Sequence, residues 1–332
     1  SLKDGIEDGF LAPFKVINIT TDIGDGWRPR KGQLDIYGHE IPDRIYNNRD
    51  YDYNIIIEDR IVQVAKEITD YLKATDRMSK TIVFCATEDA ALRMRNELAR
   101  QNPDMMQKYP DYVVRITGND TFGKDKLDYF ISVGSKTPVI ATTSKLLSTG
   151  ADCKMTKLIV LDEWINSMTE FKQIIGRGTR IREKDGKTYF IVMDIRGVTA
   201  LFADPDWDGP IEIDEDYGRE KRGPCPPGPK PNPDPDPVDP PYPPEEKPIV
   251  DENGCRVRII NKTVSVYDTN GKLLRQESIV DYTKTNIIGT YASLDNFIRQ
   301  WTSEEKKKKI QELLASKGID LEALKADQHM SD

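Results

Sequence analysis

Five short apolar runs constrain this chain more than any other feature: residues 81–85 (TIVFC), 112–117 (YVVRIT), 139–142, 158–161 and 189–194 (YFIVMD). They show little polar alternation, which marks strands covered on both faces. Helix-like stretches separate most of them. One runs from Thr87 to about Arg100 with Ala91, Met94 and Leu98 on a stripe; others cover residues 124–132 and 168–175. Ahead of the first run, residues 58–74 place Ile61, Val62, Ala65, Ile68 and Leu72 on one helical face. Short buried strands joined by helical crossovers give a parallel sheet with helices on both faces. The pattern predicts an α/β domain over about 54–203, with a further strand at 11–20. Residues 21–54, rich in Gly, Asp, Arg, Tyr and Asn, read as an extended surface excursion with one short hairpin. Tyr46, Tyr51 and Tyr53 stand there among Arg44, Arg49 and Asp50, so base stacking competes with a loop packed by its own tyrosines.

The composition then changes. Thirteen prolines fall between Pro224 and Pro248. Proline lacks the backbone donor and fixes φ, so neither helix nor sheet propagates there. Three regions follow: 1–203 as the α/β domain with its N-terminal insertion, 204–250 as an acidic then proline-rich linker, and 251–332 as a small β-hairpin and helical tail. In the tail, 256–260 and 263–268 are strand-like, Asn270 and Gly271 mark a turn, and short helices follow. The tail helices have little apolar surface and are expected to dock on other parts of the protein. Net charge is −8, which argues against a compact basic nucleic-acid domain without excluding a local basic track. Cys85, Cys153, Cys225 and Cys255 lack metal-ligand or disulfide-framework spacing, and His39 and His329 have no partner pattern, so no metal site is expected. No run reaches membrane-spanning length and no signal peptide opens the chain, which predicts a cytoplasmic protein with no membrane partner. The opening without methionine suggests a piece of a longer protein.

The chemistry concentrates in 140–180. Gln173, Gly176, Arg177, Gly178 and Arg180 close a helical segment. Arginines three apart suit one helical face, and their planar forks suit phosphate oxygens. Upstream, Thr142, Thr143 and Ser144 follow a strand, and Gly150 and Asp152 end the same segment. Small hydroxyl residues at a strand end can bond phosphates without bulk, although a plain βα turn would look the same. Thr87 and Thr117 occupy similar positions after two other strands. Asp162 and Glu163 read as scaffold or arginine partner. Residues 118–125 (GNDTFGKD) nearly match a P-loop, but Asp125 replaces the hydroxyl that magnesium needs.

Together these motifs resemble the later motifs of superfamily 2 helicases and translocases, and most of all the motor of the R subunit of type I restriction enzymes. The resemblance covers most of the chain apart from the proline-rich tract, and includes the opening 5–13 (GIEDGFLAP) and 281–301. It implies a C-terminal fragment holding the second of two RecA-like domains, with the nuclease and first motor domain absent. By this resemblance Arg177 and Arg180 act catalytically on a nucleotide shared with the first domain, Arg180 being the preferred arginine finger. Gln173, Gly150, Asp152 and Gly176 line the nucleotide side, and Thr87, Thr117, Thr142, Thr143 and Ser144 face DNA. ATP and Mg2+ are implied for the whole protein, held mainly by the first domain, and none is expected bound here. Implied partners are double-stranded DNA, the first RecA-like domain, and the methyltransferase and specificity subunits. The fragment alone is expected to lack ATPase and nuclease activity. Two alternatives stand beside this reading: another superfamily 2 DNA or RNA helicase, and a non-catalytic assembly module.

Overall fold

The computed structural model describes residues 12, 14–118, 121–144, 153–203, 247–267, 273–279 and 282. Within these, the strands are β1 (Phe14–Thr21), β2 (Ile56–Ile57), β3 (Lys80–Cys85), β4 (Val113–Arg115), β5 (Ile140–Thr143), β6 (Thr156–Asp162), β7 (Phe190–Asp194), β8 (Ile249–Val250), β9 (Ile259–Tyr267) and β10 (Leu273–Ser278). The helices are α1 (Glu58–Ala74), α2 (Glu88–Gln101), α3 (Pro103–Lys108), α4 (Thr121–Ile131), α5 (Met168–Ile175) and α6 (Val198–Ala203).

Eight strands form the main sheet among the described residues, in the order β10-β9-β1-β7-β6-β3-β5-β4. The six from β1 to β4 in that order are mutually parallel, in register Phe14↔Phe190, Leu158↔Ile191, Thr81↔Leu158, Thr81↔Ile140 and Val113↔Ile140. Each connection must therefore return to the starting edge, and helices do this. Strand side chains alternate between two cores. Val83, Cys85, Val160 and Met193 pack with Val64, Ile68 and Leu72 of α1 and Ala91, Met94 and Leu98 of α2. Ile82, Phe84, Leu161 and Val192 pack on the opposite side with Phe130 of α4, Ile174 and Ile175 of α5, and Val198. Burial on both faces explains why these strands read as continuous apolar runs.

One expectation is corrected, and of the two readings of the tyrosines the loop packed by its own side chains holds. The strand-like stretches at 256–260 and 263–268 merge into one strand, β9 (Ile259–Tyr267), with 256–258 left outside it, and β9 pairs antiparallel with β1 (Ile17↔Val264). The hairpin of β9 and β10 thus extends the main sheet, because β1 offers an open edge that needs covering. Tyr46 and Tyr51 are 1% and 0% exposed, so they do not stack on bases. With Ile23, Ile41, Ile55 and Ile57 they form a satellite core, completed by Val250, Cys255 and Val257 beyond the proline-rich tract. The bridges Trp27↔Tyr46 and Leu34↔Glu40 supply the hairpin-like order of the excursion. The proline-rich tract, Cys225, His329, Asn270, Gly271 and the tail helices lie outside the described residues. No helix among the described residues is long and apolar enough to cross a membrane.

Candidate functional site

The parallel order separates the two candidate segments. Thr143 ends β5 and Ser144 follows, so both stand at the carboxyl edge of the sheet. The arginine segment lies on the return from β6 to β7, and two contacts place it at the amino edge. The Thr179 carbonyl accepts from Ala12 N–H at 2.6 Å, just before β1. Gly178 lies flat on Phe190, the first residue of β7, where a Cβ would come within 2.2 Å of the ring. Glycine is needed there for this close approach.

Ser167 caps α5 by accepting from Glu170 N–H at 3.3 Å, and the helix ends at Ile175. The expectation of both arginines on one helical face is therefore corrected. Gly176, Arg177 and Gly178 form a turn, with Arg177 N–H donating to Ile174 O at 3.0 Å and Gly178 N–H to Ile175 O at 2.9 Å. Arg177 Nε donates back to Gln173 O at 3.1 Å, and Thr179 Oγ1 donates to Gly176 O at 2.9 Å. Gln173 and Arg180 are exposed and Arg177 is half-buried. A hydrogen-bonded turn thus groups two arginines and a glutamine at one edge. That donor set suits phosphoryl oxygens. Among the described residues no group of three or more His, Cys, Asp or Glu stands together as a metal site.

Two buried lysines secure this edge. Lys187 Nζ donates to Lys154 O at 3.0 Å, tying the strand after the arginines to the segment after Asp152. Lys80 Nζ donates to Pro138 O at 2.6 Å, and burial lowers its ammonium to about 8. Gly150 and Asp152 themselves lie outside the described residues.

At the carboxyl edge the hydroxyl residues differ from one another. Thr142 is buried and its Oγ1 donates to Ala91 O of α2 at 2.8 Å, so that hydroxyl is committed to the fold. Thr87 Oγ1 caps α2 by accepting from Ala90 N–H at 3.1 Å. Thr143 and Thr117 sit at the ends of adjacent strands, both buried, with hydroxyls that have no hydrogen-bond partner among the described residues. An unpaired buried hydroxyl costs roughly 1–3 kcal/mol, and such groups accumulate where a ligand completes them. Ser144, 9% exposed, leads out of β5 beside them. The near-match to a P-loop has a packing explanation. Gly123 lies within α4, where a Cβ would come within 2.1 Å of the Arg115 carbonyl.

The sequence did not single out a buried ion network at the same edge. Arg60 of α1 pairs with Asp52 at 3.0 Å and with Asp162. Arg196 pairs with Asp52 at 2.5 Å and Asp162 at 3.1 Å. All four side chains are at most 4% exposed. Asp162 is thus an arginine partner, although of Arg60 and Arg196. Asp194 accepts from the N–H groups of Arg196, Gly197, Val198 and Thr199, and burial still pushes its carboxyl up. A buried charge must be paired, so an Asp at two strand ends together with an Arg beside the apolar stripe of α1 was the available signal.

A largely parallel sheet of this order, with helices packed on both faces, is an α/β RecA-like fold. No family model matches the chain. It is 45% identical to the type I restriction enzyme EcoAI endonuclease subunit of Escherichia coli, over 98% of this chain and 43% of that subunit. It is 28% identical to the EcoKI endonuclease subunit of Escherichia coli K12, over 64% of this chain and 19% of that one. A solved fragment described as an HsdR subunit of a type I restriction enzyme from Vibrio vulnificus YJ016 superposes with a TM-score of 0.51 at 41% identity, covering 64% of this chain and 37% of the other. The chain is thus similar over nearly its whole length to endonuclease (R) subunits of type I restriction enzymes, and it spans less than half the length of the curated relatives it matches.

Proposed function

We propose that this chain is the second motor domain of an ATP-dependent double-stranded DNA translocase within a type I restriction endonuclease. The observation that carries the reading is the separation of the two segments onto opposite edges of one parallel sheet. Arg177 and Arg180, presented on the turn after α5, complete a nucleotide site whose magnesium and phosphate cradle belong to the first RecA-like domain. Gln173 and Gly176 share that turn, and Gly150 and Asp152, outside the described residues, are taken as further nucleotide contacts. The carboxyl edge, with Thr117, Thr143 and Ser144, grips the DNA backbone. Thr142 and Thr87 support that edge by fixing α2 against β5. ATP draws the two domains together, and hydrolysis releases them. In the assembled enzyme the methyltransferase and specificity subunits select the site, and this domain moves the duplex.

An arginine acting across such an interface contributes about 10³-fold or more to turnover. The complete endonuclease subunit carrying Arg180→Ala is expected to lose DNA-stimulated ATP hydrolysis by about that factor while still binding duplex DNA. The isolated chain is expected to hydrolyse no ATP. Near-normal turnover by the variant, or arginine-dependent turnover by the isolated chain, would overturn the reading.

A further inference from the structure

Most arginines on the described surface are paired with a carboxylate: Arg28 with Asp43, Arg44 with Asp50, Arg77 with Asp104, Arg93 with Asp89, Arg100 with Glu97, Arg182 with Asp185. Arg49 is different. It is exposed, and its guanidinium lies over the Trp164 ring, 4.6 Å from the centroid. Its side chain makes no hydrogen bond or ion pair among the described residues. Stacking fixes the plane of a guanidinium and leaves its N–H fork open at the rim, which is the arrangement that meets a phosphate.

Both partners of this stack are held in place. Trp164 Nε1 donates to Asn166 Oδ1 at 2.7 Å, and Trp164 lies two residues beyond Asp162 of the buried ion network. Arg49 is the apex of a loop whose carbonyls on either side, Asn48 O and Tyr51 O, both accept from Arg196 Nη1, at 2.7 and 2.8 Å. Asn48 Nδ2 returns a bond to Arg196 O at 3.2 Å. One buried arginine therefore fixes the excursion loop against the strand ends. Asp25 lines the hollow behind Arg49, so an anion is met at the rim and not inside.

The place of the stack suggests its partner. Trp164 follows β6, and β6 lies two places from β5 in the sheet, with β3 between them. Neighbouring strands are about 4.8 Å apart, which sets the stack roughly 10 Å from Ser144 along the same edge. That separation is of the size of the grooves of B-DNA, about 6 and 12 Å wide. We propose that Arg49, stacked on Trp164, contacts a backbone phosphate of the second strand of duplex DNA, across a groove from the strand that Ser144 touches. This rests on the DNA-translocase reading above and adds to it a contact that single-stranded DNA cannot make.

The test uses the complete endonuclease subunit and fluorescence anisotropy on a short duplex and on each of its single strands, titrated with salt. Arg49→Gln is expected to weaken duplex binding about three- to tenfold and to reduce the log–log salt slope by about 1, with single-strand affinity unchanged. Trp164→Leu is expected to give part of the same duplex-specific loss, and Ser144→Ala to weaken both ligands. Arg49 is exposed, so unchanged thermal unfolding verifies that the variant is folded. Equal losses on duplex and single strand, or no loss on either while wild-type subunit binds duplex, would overturn the second-strand contact alone. Absence of duplex binding by the wild-type subunit would overturn the translocase reading with it.

Discussion

Replacing Arg196 with methionine tests how the excursion is joined to the sheet. Arg196 uses every guanidinium N–H: Nε to Asp162 Oδ1 at 3.1 Å, Nη1 to Asn48 O at 2.7 Å and Tyr51 O at 2.8 Å, and Nη2 to Asp52 Oδ2 at 2.5 Å and Asp162 O at 3.0 Å. The side chain is 0% exposed, and methionine fills much of its volume. What the substitution removes is charge and donors. Asp52 and Asp162 are then left to share Arg60, and the network changes from neutral to singly negative. Removing one partner from a buried ion pair costs about 3–5 kcal/mol, chiefly because the remaining charge stays buried. With a urea dependence of about 2–3 kcal/mol per molar, the unfolding midpoint should fall by roughly 1–2.5 M. Arg196→Lys should recover little, since three donors on a flexible stem cannot reproduce the fork. Adding Asp162→Leu to Arg196→Met restores neutrality around the Arg60–Asp52 pair, so the double variant should be more stable than the sum of the single losses predicts. Urea unfolding of the four proteins followed by tryptophan fluorescence measures this, Trp164 being near the network. A single-variant loss under about 1 kcal/mol, or strict additivity, would refute the argument that this network is what holds the loop.

Gly178→Ala places a Cβ 2.2–2.6 Å from three ring atoms of Phe190, so the arginine turn must move off β7. It is expected to cost about 1–3 kcal/mol and to lower ATP turnover of the complete subunit; Phe190→Leu should restore part of both, and an unaffected turnover would show that the turn's seat does not matter. Lys80 gives a pH signature. Its folded value is lowered from 10.5 to about 8 by burial, so between those values the unfolded chain keeps a proton that the folded one releases, and stability rises with pH across that window. Compared with Lys80→Met, the wild type should gain about 1–3 kcal/mol from pH 8 to 10.5, read from melting temperature against pH; parallel curves would contradict this.

Much of the fold follows from local pattern. Strands buried on both faces have no polar alternation, so β3, β6 and β7 were visible as apolar runs with only their ends displaced by a residue or two. The stripe of α1 and the cap of α2 at Thr87 are equally local, and the α/β class follows from their alternation. The grouping of Gln173, Gly176, Arg177 and Arg180 is a sequence property as well, since they occupy one turn. Other features depend on residues far apart in the chain. Whether β9 adds to β1 is decided by an open sheet edge, and no local propensity encodes that. Tyr46 and Tyr51 pack their own loop as the sequence suggested, but their full burial needs Val250, Cys255 and Val257 to return across them. Thr142, Thr143 and Ser144 are alike in sequence, yet their hydroxyl environments separate because α2 approaches only the first closely enough to accept a bond. The pairing of Arg60 and Arg196 with Asp52 and Asp162 spans more than a hundred residues, and desolvation of charge is a property of the assembled interior. Local pattern was enough to mark the buried strands of the parallel sheet and to group Gln173, Gly176, Arg177 and Arg180 in one short segment. Tertiary structure decided which edge each residue faces and which polar groups are already satisfied, because burial and hydrogen-bond competition exist only once distant segments meet.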